Sequence, residues 1–232
     1  MVIQSVALHG LAVLVVTPIL GVGALWPLTP GVSNAGQVVR EHLNANHSLE
    51  MVVLPQPDRV AKALIATENS RFFQTPGIDP ISAARTGLAT LTGSGNTGAS
   101  TLEQQLAKNL YFTQNQGVLT KVQEAEVALK LDAQYSKNEI LRMYLADAYF
   151  GHGFYGLPAA ASGYFGVTPA RLSWSQATML AGLVQAPSAY DPFLHLSLGR
   201  MRQRHVLDRL VETHVLTATQ ADAALASPLG LQ

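Results

Sequence analysis

From position 58 onward, apolar residues recur every three to four positions, the period of a helix that buries one face. The spacing predicts helices over about 58–68, 80–91, 101–110, 119–134, 137–149, 157–165, 174–185, 198–216 and 218–225. Several of these starts carry a signal of their own. A hydroxyl followed three residues later by an acid or amide forms a capping box, in which two orphan backbone N–H groups are satisfied reciprocally. Ser100 with Glu103, Ser136 with Glu139, Ser173 with Gln176 and Thr217 with Gln220 fit that box. Asp79 ahead of Pro80 reads as a cap with proline at the first helical position. Beyond a strand-like piece at 51–54, no alternating run is long enough for a strand. Two stretches interrupt the helical pattern: 92–99 (TGSGNTGA) is glycine-rich and reads as a mobile loop, and 150–156 places three glycines among aromatics and reads as a tight connector. The predicted class is all-α.

The beginning of the chain follows a different rule. Residues 1–39 contain no Asp, Glu, Lys or Arg, and the apolar run 6–28 is long enough to cross a hydrocarbon core of about 30 Å as a helix. Trp26 near its end suits an interface, and Pro18 is tolerated in membrane helices. A retained single anchor is the favoured reading. A cleaved signal peptide would need the basic start that is missing here, and a buried helix is the remaining alternative. The expected division is an anchor over 1–30, a connector over 31–57 and a helical domain over 58–232.

Composition narrows the classes of function. Of 232 residues, 48% are hydrophobic and only 13% charged, which points towards lipid contact. The formal net charge is zero, so no nucleic-acid partner is expected. Without cysteine there is no disulfide framework or thiolate metal site, and the seven histidines show no ligand spacing, so no zinc site is predicted.

The candidate chemistry lies in a few blocks: 66–79 (ATENSRFFQTPGID), 98–105 (GASTLEQQ), 121–124 (KVQE), 144–166 (YLADAYFGHGFYGLPAAASGYFG) and 172–192 (LSWSQATMLAGLVQAPSAYDP). In this order they resemble the signature blocks of the family 51 glycosyltransferases, the bacterial enzymes that polymerise peptidoglycan glycan strands from lipid II. The resemblance covers about 58–225. It implies a lysozyme-like helical domain with a small membrane-facing lobe around 80–91, anchored in the cytoplasmic membrane by one pass with the catalytic domain outside. The partners it implies are lipid II, the growing glycan strand, the bilayer and proteins of cell-wall synthesis. With the sequence ending at Gln232, the expectation is a monofunctional member of the family, without a penicillin-binding half.

On spacing alone, Glu68 sits four residues after Leu64 at the edge of a buried stripe, and a solvated helix-end acid is the favoured reading. The resemblance makes it the general base for the acceptor's 4-hydroxyl. Glu124 on spacing alone is a surface partner of Lys121; the resemblance makes it the second carboxylate, on the leaving-group side. Glu126 reads as a solvated partner of Lys130 at i, i+4. Ser100 is a cap that also lines the site, and Thr101, Gln104, Gln105 and Lys108 share one helix face at three- to four-residue spacing. The resemblance places these at the donor, with Lys108 at the pyrophosphate, helped by Lys121 and Arg71; a plain surface arginine is an equal reading for Arg71. No cofactor is obligatory, and a divalent cation, Mg or Mn, is an optional companion of the pyrophosphate. Glu103 is read as a capping partner, His152 as structural, and Arg200, Arg202 and Arg204 as a solvated basic face.

The sequence departs from the family's blocks at particular positions. Asn69 stands where the family has aspartate, Thr75 replaces a histidine, and Glu103 replaces a threonine. Gly98-Ala99 replaces paired glycines, Gln116 and Thr120 replace arginines, and Ala146 replaces an asparagine. Loss of positive charge beside a departing pyrophosphate raises a barrier. The expectation is an inverting hexosyltransferase weakened by these changes. The runner-up is a degenerate lipid II-binding or scaffold protein, and a glycan-cleaving muramidase stands third.

Overall fold

The computed structural model describes residues 26–46, 48, 59–82, 100–112 and 117–232. Nine α-helices are found among them: α1 Ala35–Ala45, α2 Arg59–Glu68, α3 Leu102–Tyr111, α4 Val118–Gln134, α5 Lys137–Asp147, α6 Leu157–Phe165, α7 Trp174–Leu183, α8 Leu196–Glu212 and α9 Ala218–Ala226. Short 3-10 turns occupy Trp26–Leu28 and Pro169–Arg171. The described residues contain no strand, only one antiparallel bridge from Tyr149 to Tyr155. The all-α expectation holds for them. The predicted anchor as far as residue 25, the strand-like piece at 51–54, most of the helix predicted over 80–91 and the loop over 92–99 lie outside the described residues. No described helix is long and apolar enough to cross a membrane.

Helix α1 lies within the stretch read as a connector, where the spacing predicts no helix. Ala35, Val39 and Leu43 recur at four-residue spacing and all are buried, so the segment packs as an amphipathic helix against α5. Its His42 reaches Asp147 at 2.7 Å. The helices gather in two groups. In one, α8 lies along α7 and both pack on α2, with α9 alongside α8; in the other, α3 packs on α4 and α5. One continuous core joins them, with Leu64, Phe72, Leu106, Leu131, Leu145, Tyr164, Leu180 and Leu207 all at 3% exposure or less.

Three of the predicted capping boxes form as read, at Ser136 with Glu139, Ser173 with Gln176 and Thr217 with Gln220. The fourth is displaced by one residue. Thr101, not Ser100, caps α3, accepting from the Gln104 amide at 3.2 Å while its own N–H donates to Gln104 Oε1 at 2.9 Å. The Thr101 hydroxyl also donates to the Gly77 carbonyl at 2.6 Å, which ties the start of α3 to the loop after α2. Gly77 itself must be glycine: its φ is +65° and a Cβ would stand 2.6 Å from the Ala128 carbonyl oxygen. Glu103, freed from capping, is wholly buried and pairs with Lys137. Asp79 does cap as predicted, accepting from the Ile81 and Ser82 amides at 3.1 Å.

Candidate active site

The two helix groups meet at a cavity of about 460 Å³. Its walls come from α2 (Thr67, Glu68), α3 (Gln105, Lys108, Asn109), α5 (Tyr144) and α8 (Arg202, His205), with Ser100, Tyr149 and Gln185 from the adjoining turns. Glu68 is the last residue of α2, whose buried face carries Val60, Ala63 and Leu64 into the core. That placement holds its carboxylate at the cavity wall with its side chain 16% exposed.

Both carboxylate oxygens of Glu68 are engaged. Arg202 Nη2 donates to Oε1 at 3.0 Å, and Gln105 Nε2 donates to Oε2 at 3.4 Å. The Tyr144 hydroxyl donates to Gln105 Oε1 at 2.8 Å, which turns the amide so that its NH₂ faces Glu68. Tyr144 remains a phenol: burial pushes its titration far up, and the charges of Glu68 and Asp147 push it further. His205 titrates below its ordinary range because of burial first, then the positive charges of Arg202 and Arg209. The site therefore holds one anchored carboxylate, a neutral hydroxyl–amide relay and the ammonium of Lys108 on the same cavity. Such a set can accept a proton from a hydroxyl and stabilise a departing anion.

Of the residues singled out in the sequence, Glu68, Ser100, Gln105 and Lys108 line this cavity together. The others are placed differently. Arg71 makes a forked pair with Asp79, its Nη2 2.6 Å from each carboxylate oxygen. Thr101 and Gln104 direct their polar atoms to the cap of α3 and are not among the residues lining this cavity. Glu124 is buried at 4% exposure and accepts from Lys121 at 2.6 Å, so the pairing is as read but the carboxylate is not solvated. Glu126 corrects its reading outright. It is wholly buried with no hydrogen-bond partner on either oxygen among the described residues, and Lys130 turns away to donate to the carbonyls of Trp26, Thr29 and Pro30. Asn69 is also buried, with its Nδ2 unpartnered among the described residues.

Arg202 is the residue the sequence reading missed, having been grouped with Arg200 and Arg204 as a solvated face. Positions 200, 202 and 204 point in different directions on a helix. Arg200 bonds to Gln203 and the Leu225 carbonyl, Arg204 to Asp222, and Arg202 to Glu68. The usable signal was the spacing of Arg202, His205 and Arg209, which share one face of α8 with the buried Val206. Among the described residues no three His, Asp or Glu side chains converge to ligate a metal ion.

Comparison with known proteins finds relatives over most of the chain. The chain is 38% identical over 174 residues to penicillin-binding protein 1A of Vibrio cholerae, covering 75% of this chain and 21% of that protein. It is 38% identical over 176 residues to penicillin-binding protein 1F of Bacillus subtilis, covering 75% of this chain and 25% of that one. It thus spans about a quarter of these relatives or less. A crystal structure of penicillin-binding protein 1A from Haemophilus influenzae aligns with 79% of this chain and 18% of its own, at a TM-score of 0.46 and 22% identity. The transglycosylase family model matches residues 35–211, from the start of α1 nearly to the end of α8. The chain belongs to that family, glycosyltransferase family 51.

Proposed function

We propose that this chain is a peptidoglycan glycosyltransferase that polymerises lipid II into glycan strands and releases undecaprenyl pyrophosphate. The observation that carries the proposal is the presence of both Glu68 and Lys108 on the lining of one cavity, within a family 51 domain. Glu68 takes the proton of the acceptor's 4-hydroxyl as its oxygen bonds to the donor's anomeric carbon from the face opposite the leaving group. The C–O bond to the diphosphate breaks with its electron pair on oxygen, and the configuration inverts. Lys108 meets the developing diphosphate charge, and Glu124 with Lys121 forms the leaving-group side. Positioned proton abstraction of this kind contributes about 10²–10⁴-fold. The apolar run over residues 6–28 is read as the single anchor that holds the domain on the extracytoplasmic face of the membrane, where lipid II presents its sugars.

The test is incubation of the purified full chain with fluorescent lipid II in detergent, followed by gel separation of polymer. Wild type forms polymer, and Glu68→Gln lowers its rate by at least about 10²-fold while retaining lipid II binding. Binding without polymer by the wild type would instead make the chain a non-catalytic lipid II-holding protein. Undiminished polymer from Glu68→Gln would remove Glu68 from the mechanism.

A further inference from the structure

Helix α8 grips the end of α2 at two points. Arg209 Nε donates to the Ala66 carbonyl at 3.2 Å, a basic group closing the carboxyl end of the helix. Seven residues earlier, Arg202 reaches the Glu68 carboxylate itself. Arg202 is 11% exposed, and its Nε is buried with no hydrogen-bond partner among the described residues. A buried donor left unpaired opposes folding. An arginine kept in that state is accounted for by what its other end does, and that end holds Glu68. The route it takes is also provided for. Its stem crosses α7 at Gly182, where a Cβ would stand 3.0 Å from Arg202 Cγ and 3.6 Å from Val206 Cγ2.

We propose that Arg202 is a positioning residue for Glu68, threaded across Gly182 so that one chosen carboxylate oxygen faces the acceptor sugar. The proposal rests on Glu68 being the general base. Oε1 is held by a charge-assisted bond, whereas Oε2 has only the longer contact from Gln105. An incoming hydroxyl displaces the weaker donor, so Oε2 receives the proton while Arg202 keeps the carboxylate from rotating. The charged and titratable groups that share the cavity with Glu68 are Arg202 and His205 from α8, Lys108 from α3, Tyr144 from α5 and Tyr149 just after it. Of these, Arg202 alone bonds to the carboxylate directly, so its loss is not made good by a neighbour. Misplacing a reacting group by about an ångström costs on the order of 10²-fold in rate.

The experiment measures steady-state polymerisation of lipid II by full-length Arg202→Gln, Arg202→Lys, Arg202→Ala and Gly182→Ala. Arg202→Gln is expected to lower kcat by about 10²-fold with little change in KM. Arg202→Lys retains part of the rate, and added guanidinium restores part of it to Arg202→Ala. Gly182→Ala keeps every polar group and still lowers kcat several-fold, because the arginine stem must shift by a few tenths of an ångström. Wild-type kcat in Arg202→Gln, or a loss confined to KM, overturns the proposal. Should Arg202→Gln fail to fold, Gly182→Ala and Arg202→Lys decide it by the same kcat criterion. Activity in Glu68→Gln would defeat the underlying reading; an inactive Glu68→Gln beside a fully active Arg202→Gln would defeat this inference alone.

Discussion

Replacing Lys137 by methionine removes the cation from a buried cluster while keeping a side chain of similar length. The ammonium lies 2.5 Å from Glu103 Oε1, 2.5 Å from Asp132 Oδ1 and 2.6 Å from the Thr75 carbonyl, with the Phe72 ring 4.9 Å away. Lys137 is 18% exposed and Glu103 is fully buried. Glu103 Oε2 already has no hydrogen-bond partner among the described residues, so the substitution leaves the buried carboxylate without its cation. Breaking a buried pair in this way costs about 3–5 kcal/mol. At about 2–4 °C per kcal/mol for a chain of this size, the melting temperature falls by roughly 6–20 °C. Urea unfolding of the full chain in detergent, followed by circular dichroism at 222 nm, measures the first number directly. The double variant Lys137→Met/Glu103→Gln supplies the control: with the carboxylate neutralised, most of the loss returns, giving a coupling energy of about 2 kcal/mol or more. A loss below about 1 kcal/mol in Lys137→Met, or strict additivity in the double variant, would refute the reasoning.

Three further outcomes are expected. Glu126→Leu raises stability by about 1–3 kcal/mol in the same urea assay, since it removes a buried carboxylate whose oxygens have no partners; a loss would show that Glu126 is held after all. The titration of Asp79 is pulled up by burial but, on balance, held below its ordinary value by hydrogen bonds from Arg71 and Ser82. A carboxylate lowered on folding contributes stability above its unfolded value of about 3.9 and loses it as pH falls through the folded value. Asp79→Asn therefore destabilises by about 1–2 kcal/mol at pH 7, and its gap from the wild type closes below about pH 4; a gap independent of pH contradicts this. Thr101→Val removes both the cap of α3 and the bond to Gly77, lowering stability by about 2 kcal/mol in urea, and a neutral result would return the cap to Ser100.

The helices were legible in the sequence because their ends carry local chemistry, as at Ser136 and Glu139 or Thr217 and Gln220. The displaced cap of α3 shows the limit of that signal. Ser100 and Thr101 each precede an acid or amide by three positions, and the choice between them is made by two distant groups, the Gly77 carbonyl and the Lys137 ammonium. Glu126 was misread for a related reason. Its i, i+4 spacing to Lys130 is real, but the lysine is claimed by carbonyls a hundred positions upstream. Glu68 and Gln105 stand in distinctive sequence blocks, with Lys108 one turn further along α3, and the three line one cavity. Arg202 lies 134 positions from Glu68 in a segment with no such block, and only tertiary structure brings them together.

Lys130 binds the stretch from Trp26 to Pro30 to α4 through three backbone carbonyls and the Thr29 hydroxyl. The same helix carries Glu124, six residues earlier, or about 9 Å along its axis at the normal rise. The point where Trp26 to Pro30 attaches is thereby held at a distance from Glu124 that helical pitch sets. Inserting one residue in α4 between Glu124 and Lys130 would turn that attachment by a further angle of about 100° relative to Glu124 and lift it by about 1.5 Å.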